Sequence, residues 1–394
     1  MNGTLRQRLR REIRILQEEP WLMAMAVWLP PLLFVIFWWI FSVGSSFDLA
    51  IGVVDLDRSD LSRTLIRQCD ASSAMAVEQQ YATVQEGRRA LVGSEIYALM
   101  VIPEYMERDV VLGMSPRPTV FYNGQYILIG KQINGAMLKT VGTLSAQIGG
   151  LKALATGAAL PGVVGQVAPI RGQIIPLFNQ NTNYAEFLVS GAIPAIWQIL
   201  IVMVTAISLA AEKRHGGLSG WVAGKPALAL FSKLLPYTLI LWLQGVIFLV
   251  GMYGWLGWPM NGSWAALILA QLLTVLAGQA MGSVFYLLGR DAAQALSLAA
   301  VYTAPSFAFM GVTFPATDMG WPALVWRSLI PVTHYINVQI QVANYGVDPW
   351  RLWTSFGALL LFIVPMMLAL RLVQRLAVGP AVDKVSPAGG EVPA

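Results

Sequence analysis

Residues 183–217 read NYAEFLVSGAIPAIWQILIVMVTAISLAAEKRHGG, an apolar run that stops abruptly at the polar sequence EKRHGG of residues 212–217. At about 1.5 Å of rise per residue, a helix of this length crosses a hydrocarbon core of about 30 Å. Charged side chains are costly in hydrocarbon. The stretch therefore predicts a membrane-spanning helix whose charged turn lies in water just past the membrane face.

The composition of the chain indicates an integral membrane protein. Of its 394 residues, 56% are hydrophobic and 12% are charged, whereas about a quarter of the residues of a soluble domain are charged. The net charge of +5 fits the Lys and Arg that membrane proteins keep in cytoplasmic loops. No basic run interleaved with aromatic residues indicates nucleic-acid binding. The single cysteine, Cys69, excludes a disulfide within the chain.

The N-terminal residues predict an interfacial helix followed by a first span. Residues 1–20 place arginines and aliphatic residues at helical spacing, which is typical of a basic amphipathic helix on the anionic inner face of a membrane. Residues 21–43 are apolar and long enough to cross the bilayer. Because this apolar core is longer than that of a secretory signal, we expect an uncleaved first span.

Residues 47–182 differ in character and predict a compact α/β domain. No segment here is apolar enough to span a membrane. Strand patterns lie at 48–54, 95–102 and 117–122. Helical patterns lie between them, with Ser59 as an N-cap and Pro103 at the first turn of a helix. Residues 169–181 predict an extended strand that returns to the membrane.

Within this domain, residues 126–157 predict one long helix. Its apolar residues alternate at spacings of four and three, the pattern of a coiled-coil seam: Ile133, Met137, Val141, Leu144, Ile148 and Leu151. Gly135, Gly142 and Gly149 recur every seven residues on another stripe. The helix packs inside the same domain or, alternatively, meets a second subunit or an adaptor protein along its glycines.

The remaining apolar runs bring the number of predicted spans to six. After the first span they lie at about 187–211, 230–254, 264–288, 292–313 and 352–374. Lys and Arg outside the large domain concentrate on the side of the N-terminus, so the positive-inside rule places both termini and the 212–217 turn in the cytoplasm. The α/β domain is then periplasmic or extracellular. Residues 314–350 predict a re-entrant-like amphipathic segment, and residues 378–394 a disordered tail.

The chain lacks the residues that catalysis or ion-driven transport would need. Its two histidines, His215 and His334, fall on opposite sides of the predicted membrane, and no phosphate-binding loop occurs. The predicted spans place no carboxylate near the midplane, where ion-coupled transporters usually have one. If the protein is a pump, its energy must come from a separate motor.

Three stretches resemble the permease subunits of ABC-2 type exporters, in the branch with a large external domain after the first helix. The first is RGQIIPLFNQNTNYAEFLVSGAIP at 171–194, the family's return strand into a spanning helix. The second is EKRHGG at 212–217, similar to the E-[RK]-E-x-G-T turn but departing from it at residues 214–217. The third is GVTFPATDMGWPALVWRSLIPVTHYI at 311–336, similar to a motif between the last two spans.

The resemblance implies a polytopic α-helical permease in the inner membrane of a bacterium. It would work as a homodimer or with a related permease, bound to two ABC ATPase subunits that hold ATP and Mg. The chain itself would bind no cofactor and no metal and have no catalytic residue. In some relatives the external domain engages a periplasmic adaptor and an outer-membrane channel. The turn at Glu212, Lys213, Arg214, His215 and Gly216 would be the coupling element seated on the ATPase.

Two further sets of residues are candidates for the transport path. The pathway set lies on or near the second and fifth predicted spans: Phe187, Trp197, Gln198, Phe307 and Phe309. The outer-gate set lies in the re-entrant-like segment: Phe314, Pro315, His334 and Tyr335. For the pathway set, aromatic packing, lipid contact or a hydrogen bond between helices is the favoured explanation, whereas His334 fits a gate and an interfacial imidazole equally well. Pro194 and Pro305 predict kinks at which helices flex.

The sequence favours a hydrophobic or amphiphilic cargo, such as a lipid, glycolipid or drug-like molecule, because the spans carry few charges. Two other classes stay open. One is a membrane-anchored receptor or scaffold whose external domain binds a ligand or partner. The other is a membrane enzyme acting on lipid, against which the missing ionisable cluster argues. Co-purification with an ATPase would discriminate among the three.

Overall fold

The structure is a computed structural model and describes residues 4–42, 47–122, 127–155, 183–222 and 225–378. The chain divides into two compact units. The transmembrane unit comprises Met1–Ser42 and Ala185–Ala394, and the α/β unit comprises Val43–Tyr184. The predicted return strand at 169–181 lies outside the described residues, as does the predicted tail beyond residue 378.

The transmembrane unit begins with helix α1, Leu5–Glu18, and the first span, α2, Pro20–Phe41. The backbone N–H of Thr4 donates to Gln7 Oε1 at 2.9 Å, which satisfies one donor of the first turn of α1. Helix α1 ends before Pro20 because a residue that precedes proline disfavours the helical conformation. Within α2, Ala24–Trp28 form a π-helical segment.

The α/β unit contains a four-stranded sheet of order β2-β1-β3-β4. In this sheet β1 is parallel to β2 and β3, and β4 is antiparallel to β3. The strands and first helices are, in chain order, β1 Leu49–Asp55, α3 Asp60–Asp70, β2 Met75–Gln80, α4 Val84–Val92, β3 Ala98–Ile102, α5 Met106–Val111 and β4 Thr119–Tyr122. Ser59 caps α3 by accepting a hydrogen bond from Ser62 N, as its position predicts. Pro103 does not open α5, which begins three residues later at Met106 after Tyr105 in the left-handed conformation.

Both faces of the sheet are buried, because alternate residues of the central strands point into different cores. Ile51 and Val53 of β1 join α3 in one core, whereas Val54 joins Ala90 of α4 in the other. The long helix α6, Ile127–Ala155, packs its seam on the first core through Ile133, Met137 and Leu144.

Two expectations for α6 differ from the structure. Leu151, the last residue of the predicted seam, is 68% exposed. A Cβ added at Gly135 or Gly142 would meet no atom within 4 Å. No neighbouring backbone therefore approaches these two glycines within the described residues. The seam packs inside its own unit, and contact of the glycine stripe with another protein stays a prediction.

The central helices of the transmembrane unit are α7 Tyr184–Ala211, α8 Leu218–Val222, α9 Pro226–Trp255 and α10 Trp264–Gly289. The last turns of α9, from Val250, are π-helical. Helices α7 and α10 pack closely through two glycines of α10. A Cβ at Gly278 would lie 2.7 Å from Ile201 Cγ2, and one at Gly282 only 2.5 Å from Val202 O. Small residues at this spacing let membrane helices approach each other closely.

The predicted fifth span at 292–313 is interrupted. Helix α11 runs from Ala292 to Thr303, and a short α12 follows at Ser306–Phe309. Pro305 lacks the N–H that would continue the helix, and Gly311 beyond α12 has a φ of +88°. At about 1.5 Å per residue, α11 alone is too short to cross the hydrocarbon core.

The re-entrant-like segment at 314–350 consists of short helices. Helix α13 is Trp321–Ser328 and α14 is Pro331–Gln339, followed by a π-helical turn at Ile340–Asn344. Helix α14 lies in the core, with both Val332 and Tyr335 buried. The loop before α10 holds the end of this segment, since Asn261 N donates to Ala343 O at 2.9 Å.

The last two described helices are α15 Trp353–Leu361 and α16 Ile363–Val378. In the described part of the chain, five helices are long and apolar enough to cross a membrane: Pro20–Phe41, Ala185–Ala211, Pro226–Trp255, Trp264–Gly289 and Pro349–Leu376. The expected count of six is not met, because the break at Pro305 divides the fifth predicted span.

Candidate functional site

The 212–217 turn closes the end of α7 with two glycines in the left-handed region. Gly217 N donates to Glu212 O at 2.9 Å, and His215 N donates to Ala211 O at 3.2 Å. Gly216 has a φ of +117° and Gly217 a φ of +79°. Residues with a Cβ are strained in this region, whereas glycine is not. The Gly-Gly pair therefore allows the chain to reverse into α8.

Glu212 is fully buried and bound by two cations from other helices. Arg11 of α1 donates to both of its carboxylate oxygens, at 2.9 Å from Nη1 and 2.7 Å from Nη2. Lys233 of α9 donates to Glu212 Oε1 at 2.7 Å. Arg11 Nη2 also donates to His215 O at 2.9 Å. A single carboxylate thus joins α1, the end of α7 and α9.

A second carboxylate completes this group, which we call the ion cluster: Arg11, Glu12, Glu212 and Lys233. Lys233 Nζ lies 2.8 Å from Glu12 Oε2, and Arg11 Nη1 donates to Glu12 Oε1 at 3.2 Å. The side chains of Lys233 and Glu212 are 0% exposed and that of Glu12 is 3% exposed. Two cations balance two carboxylates, so the cluster is neutral when all four groups are ionised. Removing one partner of such a buried pair costs about 3–5 kcal/mol, because it leaves a charge uncompensated.

The two carboxylates differ in their proton affinity. Burial raises the pKa of Glu12 to about 7, although the charge and hydrogen bond of Lys233 oppose the shift. Burial acts on Glu212 in the same sense, but the hydrogen bond from Arg11 and the charge of Lys233 outweigh it and hold the pKa of Glu212 below its usual range. Glu212 is therefore the fixed anion of the cluster, and Glu12 is the group that titrates near neutral pH.

A second, more exposed set of contacts joins the turn to the end of α1. Arg214 donates to both oxygens of Glu19, at 2.9 and 2.7 Å. His215 Nε2 lies 3.3 Å from Glu18 Oε2, and its Nδ1 lies 3.0 Å from Ala211 O. Helix α1 is thereby fastened along its length to the turn.

The surface that the turn offers to a partner is formed by exposed residues around the ion cluster. Lys213, Arg214 and Gly216 are exposed, as are Ser219 and Gly220 of α8, whereas Trp221 is buried. A cavity of about 150 Å³ lies between α1, α8 and α9, lined by Gln7, Arg8, Arg11, Glu12, Gly220, Trp221 and Ser232. Arg8 Nη1 crosses to α8 and donates to Trp221 O at 3.3 Å.

The expectation that the whole charged turn lies in water is wrong for Glu212. Two compensating charges, Arg11 from α1 and Lys233 from α9, make its burial possible. Lys233 lies inside α9 and is fully buried. The sequence carried one signal for it, since an ionisable residue in an apolar span indicates a function and a partner. Arg11 and Glu12 were not distinguished from the other charges of residues 1–20.

The pathway candidates lie in different environments within the described residues. Trp197 is buried, and its Nε1 donates to Leu241 O at 3.1 Å. Gln198 is fully buried, with its Nε2 donating to Ser306 Oγ at 3.0 Å and its Oε1 accepting from Val332 N at 2.6 Å. The aromatic members Phe187, Phe307 and Phe309 are half-buried. In this structure Trp197 and Gln198 join helices.

The outer-gate candidates separate into exposed and buried residues. Phe314 and Pro315 are exposed. Tyr335 is 1% exposed, and its hydroxyl accepts from Gln271 Nε2 at 3.2 Å. His334 is half-buried, with Nε2 2.9 Å from Ser328 O, and burial lowers its pKa. Tyr335 is thus a core residue in this structure, and the role of the four residues as an outer gate stays a prediction.

The sequence is similar to known transporter proteins. The model of a family described as ABC-2 family transporter protein matches residues 20–371. ABC transporter G family member 20 of Dictyostelium discoideum is 24% identical over 193 residues, which cover 47% of this chain and 26% of that protein. The aligned part of the chain thus spans about a quarter of the length of this curated relative.

Proposed function

The chain belongs to the ABC-2 transporter family, and from that premise we propose that it is the membrane-spanning permease subunit of an ATP-driven exporter. Two ABC ATPase subunits, holding ATP and Mg, supply the energy. The permease acts as a homodimer or beside a related permease in the inner membrane of a bacterium. Its termini and the 212–217 turn face the cytoplasm, and the α/β unit lies on the opposite side, available to an adaptor or an outer-membrane channel.

The buried ion cluster is the observation that carries this proposal. A docking element transmits force only if it moves together with the helices behind it. Glu212 is bound to α1 through Arg11 and to α9 through Lys233, at distances of 2.7–2.9 Å. Breaking any of these buried pairs costs about 3–5 kcal/mol. A push on exposed Lys213, Gly216 or Ser219 is therefore passed to three helices at once.

The cargo that fits this chain best is hydrophobic or amphiphilic. The glutamines buried among its spans are bonded to protein groups: Gln198 to Ser306, Gln244 to Ala26, Gln271 to Gly245 and Gln279 to Leu234. These amides hold helices together. Lys233, the charged residue buried deepest in a span, belongs to the ion cluster. We therefore propose export of a lipid, a glycolipid or a drug-like molecule from the cytoplasm or the membrane.

The test is co-expression of the tagged chain with the ABC ATPase whose gene lies nearest to its own. We expect the ATPase to co-elute with the chain. Lys213→Glu should weaken that association about tenfold, which corresponds to a loss of about 1.4 kcal/mol of binding free energy. Arg351→Glu is the matched control, because Arg351 is also an exposed cation but lies far along the chain, between α14 and α15. Failure of every encoded ABC ATPase to co-elute would overturn the proposal, and an equal loss in both variants would remove the turn from the interface.

A further inference from the structure

Helix α7 contains a proline, Pro194, in its interior. Proline has no backbone N–H, so the carbonyl four residues earlier, that of Ser190, loses its usual donor. In an apolar environment an unpaired carbonyl is costly. The structure supplies a donor from another helix, since Gln339 Nε2 at the end of α14 donates to Ser190 O at 2.9 Å.

The other end of α14 is bound to α7 one turn beyond the proline. Gln198 Oε1 accepts from Val332 N at 2.6 Å. Between these bonds, the rings of Trp197 and Tyr335 pack with centroids 6.3 Å apart. The residue numbers rise along α7 as they fall along α14, so the two helices are antiparallel here. Helix α14 therefore lies across Pro194 and is hydrogen-bonded to α7 on both sides of it.

The same pairing of a glutamine with proline-freed carbonyls occurs in the first span. Pro30 and Pro31 follow Ala26 and Val27 by four residues. Gln244 Nε2 of α9 donates to Ala26 O at 2.8 Å and to Val27 O at 3.3 Å. The recurrence shows that such a bond can serve as a static repair, and it provides a matched control for the pair at Pro194.

Resting on the proposed function, we propose that Pro194 is a hinge in α7 and that α14 is a releasable splint across it. Gln339 is the positioning residue that holds α7 in the conformation of this structure. When the motor moves the turn, Gln339 leaves Ser190 O and α7 bends at Pro194. From Pro194 to Glu212, α7 is about 27 Å long, so a bend of about 10° moves the Glu212 end by roughly 5 Å.

The hydrogen bonds around Pro194 are weaker than the ion pairs at Glu212, so we expect α7 to bend at Pro194. Hydrogen bonds between membrane helices contribute on average about 0.6 kcal/mol, with a maximum of about 1.7 kcal/mol. The ion pairs at Glu212 cost about 3–5 kcal/mol to break. A force applied at the turn therefore breaks the hydrogen bond from the side-chain amide of Gln339 to Ser190 O before it breaks the ion cluster. The charged end moves as a block while the splint opens.

The first test asks whether Gln339 acts through the proline. Pro194→Ala restores an N–H for Ser190 O, so the bond from Gln339 becomes redundant. We expect Gln339→Leu alone to lower the apparent Tm of the purified chain and to have little effect in the Pro194→Ala background. Additive effects of the two substitutions would overturn the assignment. This cycle needs no ATPase, so its outcome is independent of the proposed function.

The second test asks whether the hinge moves. Spin labels are placed at Arg10→Cys and Asp348→Cys, both exposed positions, with the buried Cys69 replaced by alanine. In the complex with its ATPase, we expect the label distance to differ by several ångströms between the nucleotide-free and the vanadate-trapped states, and Pro194→Ala to abolish that change. Gln244→Leu, the matched control, should preserve it.

A purely static repair predicts a different result. Pro194→Ala would then leave the label distance and its nucleotide dependence as in the unsubstituted chain, and this result would overturn the hinge. An unsubstituted complex whose distance does not change with nucleotide would overturn it as well. If no ATPase binds the chain at all, the proposed function fails first, and that failure is visible in the same purification.

Discussion

The two ends of α7 are held by different chemistry. At Glu212 the helix is bound by buried charges, with Arg11 and Lys233 both within 2.9 Å of the carboxylate. Around Pro194 it is held by neutral hydrogen bonds to α14: Gln198 Oε1 accepts from Val332 N, and Ser190 O accepts from Gln339 Nε2. The charged end resists separation because each cation would be left uncompensated. A hydrogen bond between neutral groups of membrane helices is broken at lower cost. A helix built in this way transmits motion from its charged end and yields at its neutral one.

The largest expected effect is at the charged end. Glu212→Ala leaves Arg11 and Lys233 buried with Glu12 as their remaining anion. We expect it to lower the free energy of unfolding by about 3–5 kcal/mol and to abolish ATPase binding, since the turn loses its buried ion pairs to α1 and α9. The measurements are the apparent Tm in detergent and the amount of ATPase that co-elutes.

A variant that removes all four charges separates charge imbalance from loss of contacts. Replacing Arg11, Glu12, Glu212 and Lys233 together by apolar residues of similar size leaves no uncompensated charge, so much of the stability should return. If Glu212→Ala had the stability of the unsubstituted chain, the ion cluster would not be what holds the turn.

The next effect in size depends on pH and arises from Glu12, which faces Arg11, Lys233 and Glu212. Its folded pKa of about 7 lies above the ordinary value of about 4.3. Between these values only the folded state binds the proton, so stability is greatest at low pH and is lost as the pH rises through 7. The expected change is up to about 1.4 kcal/mol per pH unit between 5 and 7.

Thermal unfolding between pH 5 and 8 measures this dependence, and Glu12→Gln should flatten it. Glu212 contributes in the opposite sense only at acidic pH, because its lowered pKa is reached below the ordinary range. A slope that persists unchanged in Glu12→Gln would contradict the assignment of the titration to Glu12.

The extent of α7 could be predicted from the sequence more readily than the contacts that hold it. The length of the apolar run predicts α7 to within a few residues, since 187–211 was expected and Tyr184–Ala211 is found. The same reasoning predicts four of the other spans. It fails at 292–313, because hydropathy is insensitive to the missing N–H of Pro305, which ends α11. Strand β2 was not predicted, because its second half is polar and exposed.

The site was harder to predict because its members are distant in sequence. Along the chain, Arg11 precedes the α/β unit and Lys233 follows it. No spacing rule relates either residue to Glu212. The position of the turn was correct as a helix end, but its burial depends on charges that only the folded chain brings together. The splint across Pro194 has the same origin, since Gln339 and Ser190 are 149 positions apart.

The smallest expected effect concerns the exposed contact beside the cluster. Arg214 donates two hydrogen bonds to Glu19, but its side chain is 60% exposed. Exposed ion pairs contribute about 0.2–1 kcal/mol to stability, so Arg214→Ala should shift the apparent Tm only slightly. High salt should diminish even this shift, because exposed charges are screened.

This variant sharpens the comparison by separating stability from coupling. If the exposed face of the turn contacts the ATPase, Arg214→Ala weakens co-elution of the ATPase while leaving the fold intact, whereas Glu212→Ala loses both. Glu19→Gln removes the same ion pair from the side of α1 and is the matched control. Equal losses of ATPase binding in Arg214→Ala and Glu19→Gln would mean that Arg214 acts by fastening α1, and a loss confined to Arg214→Ala would place its guanidinium at the interface with the motor.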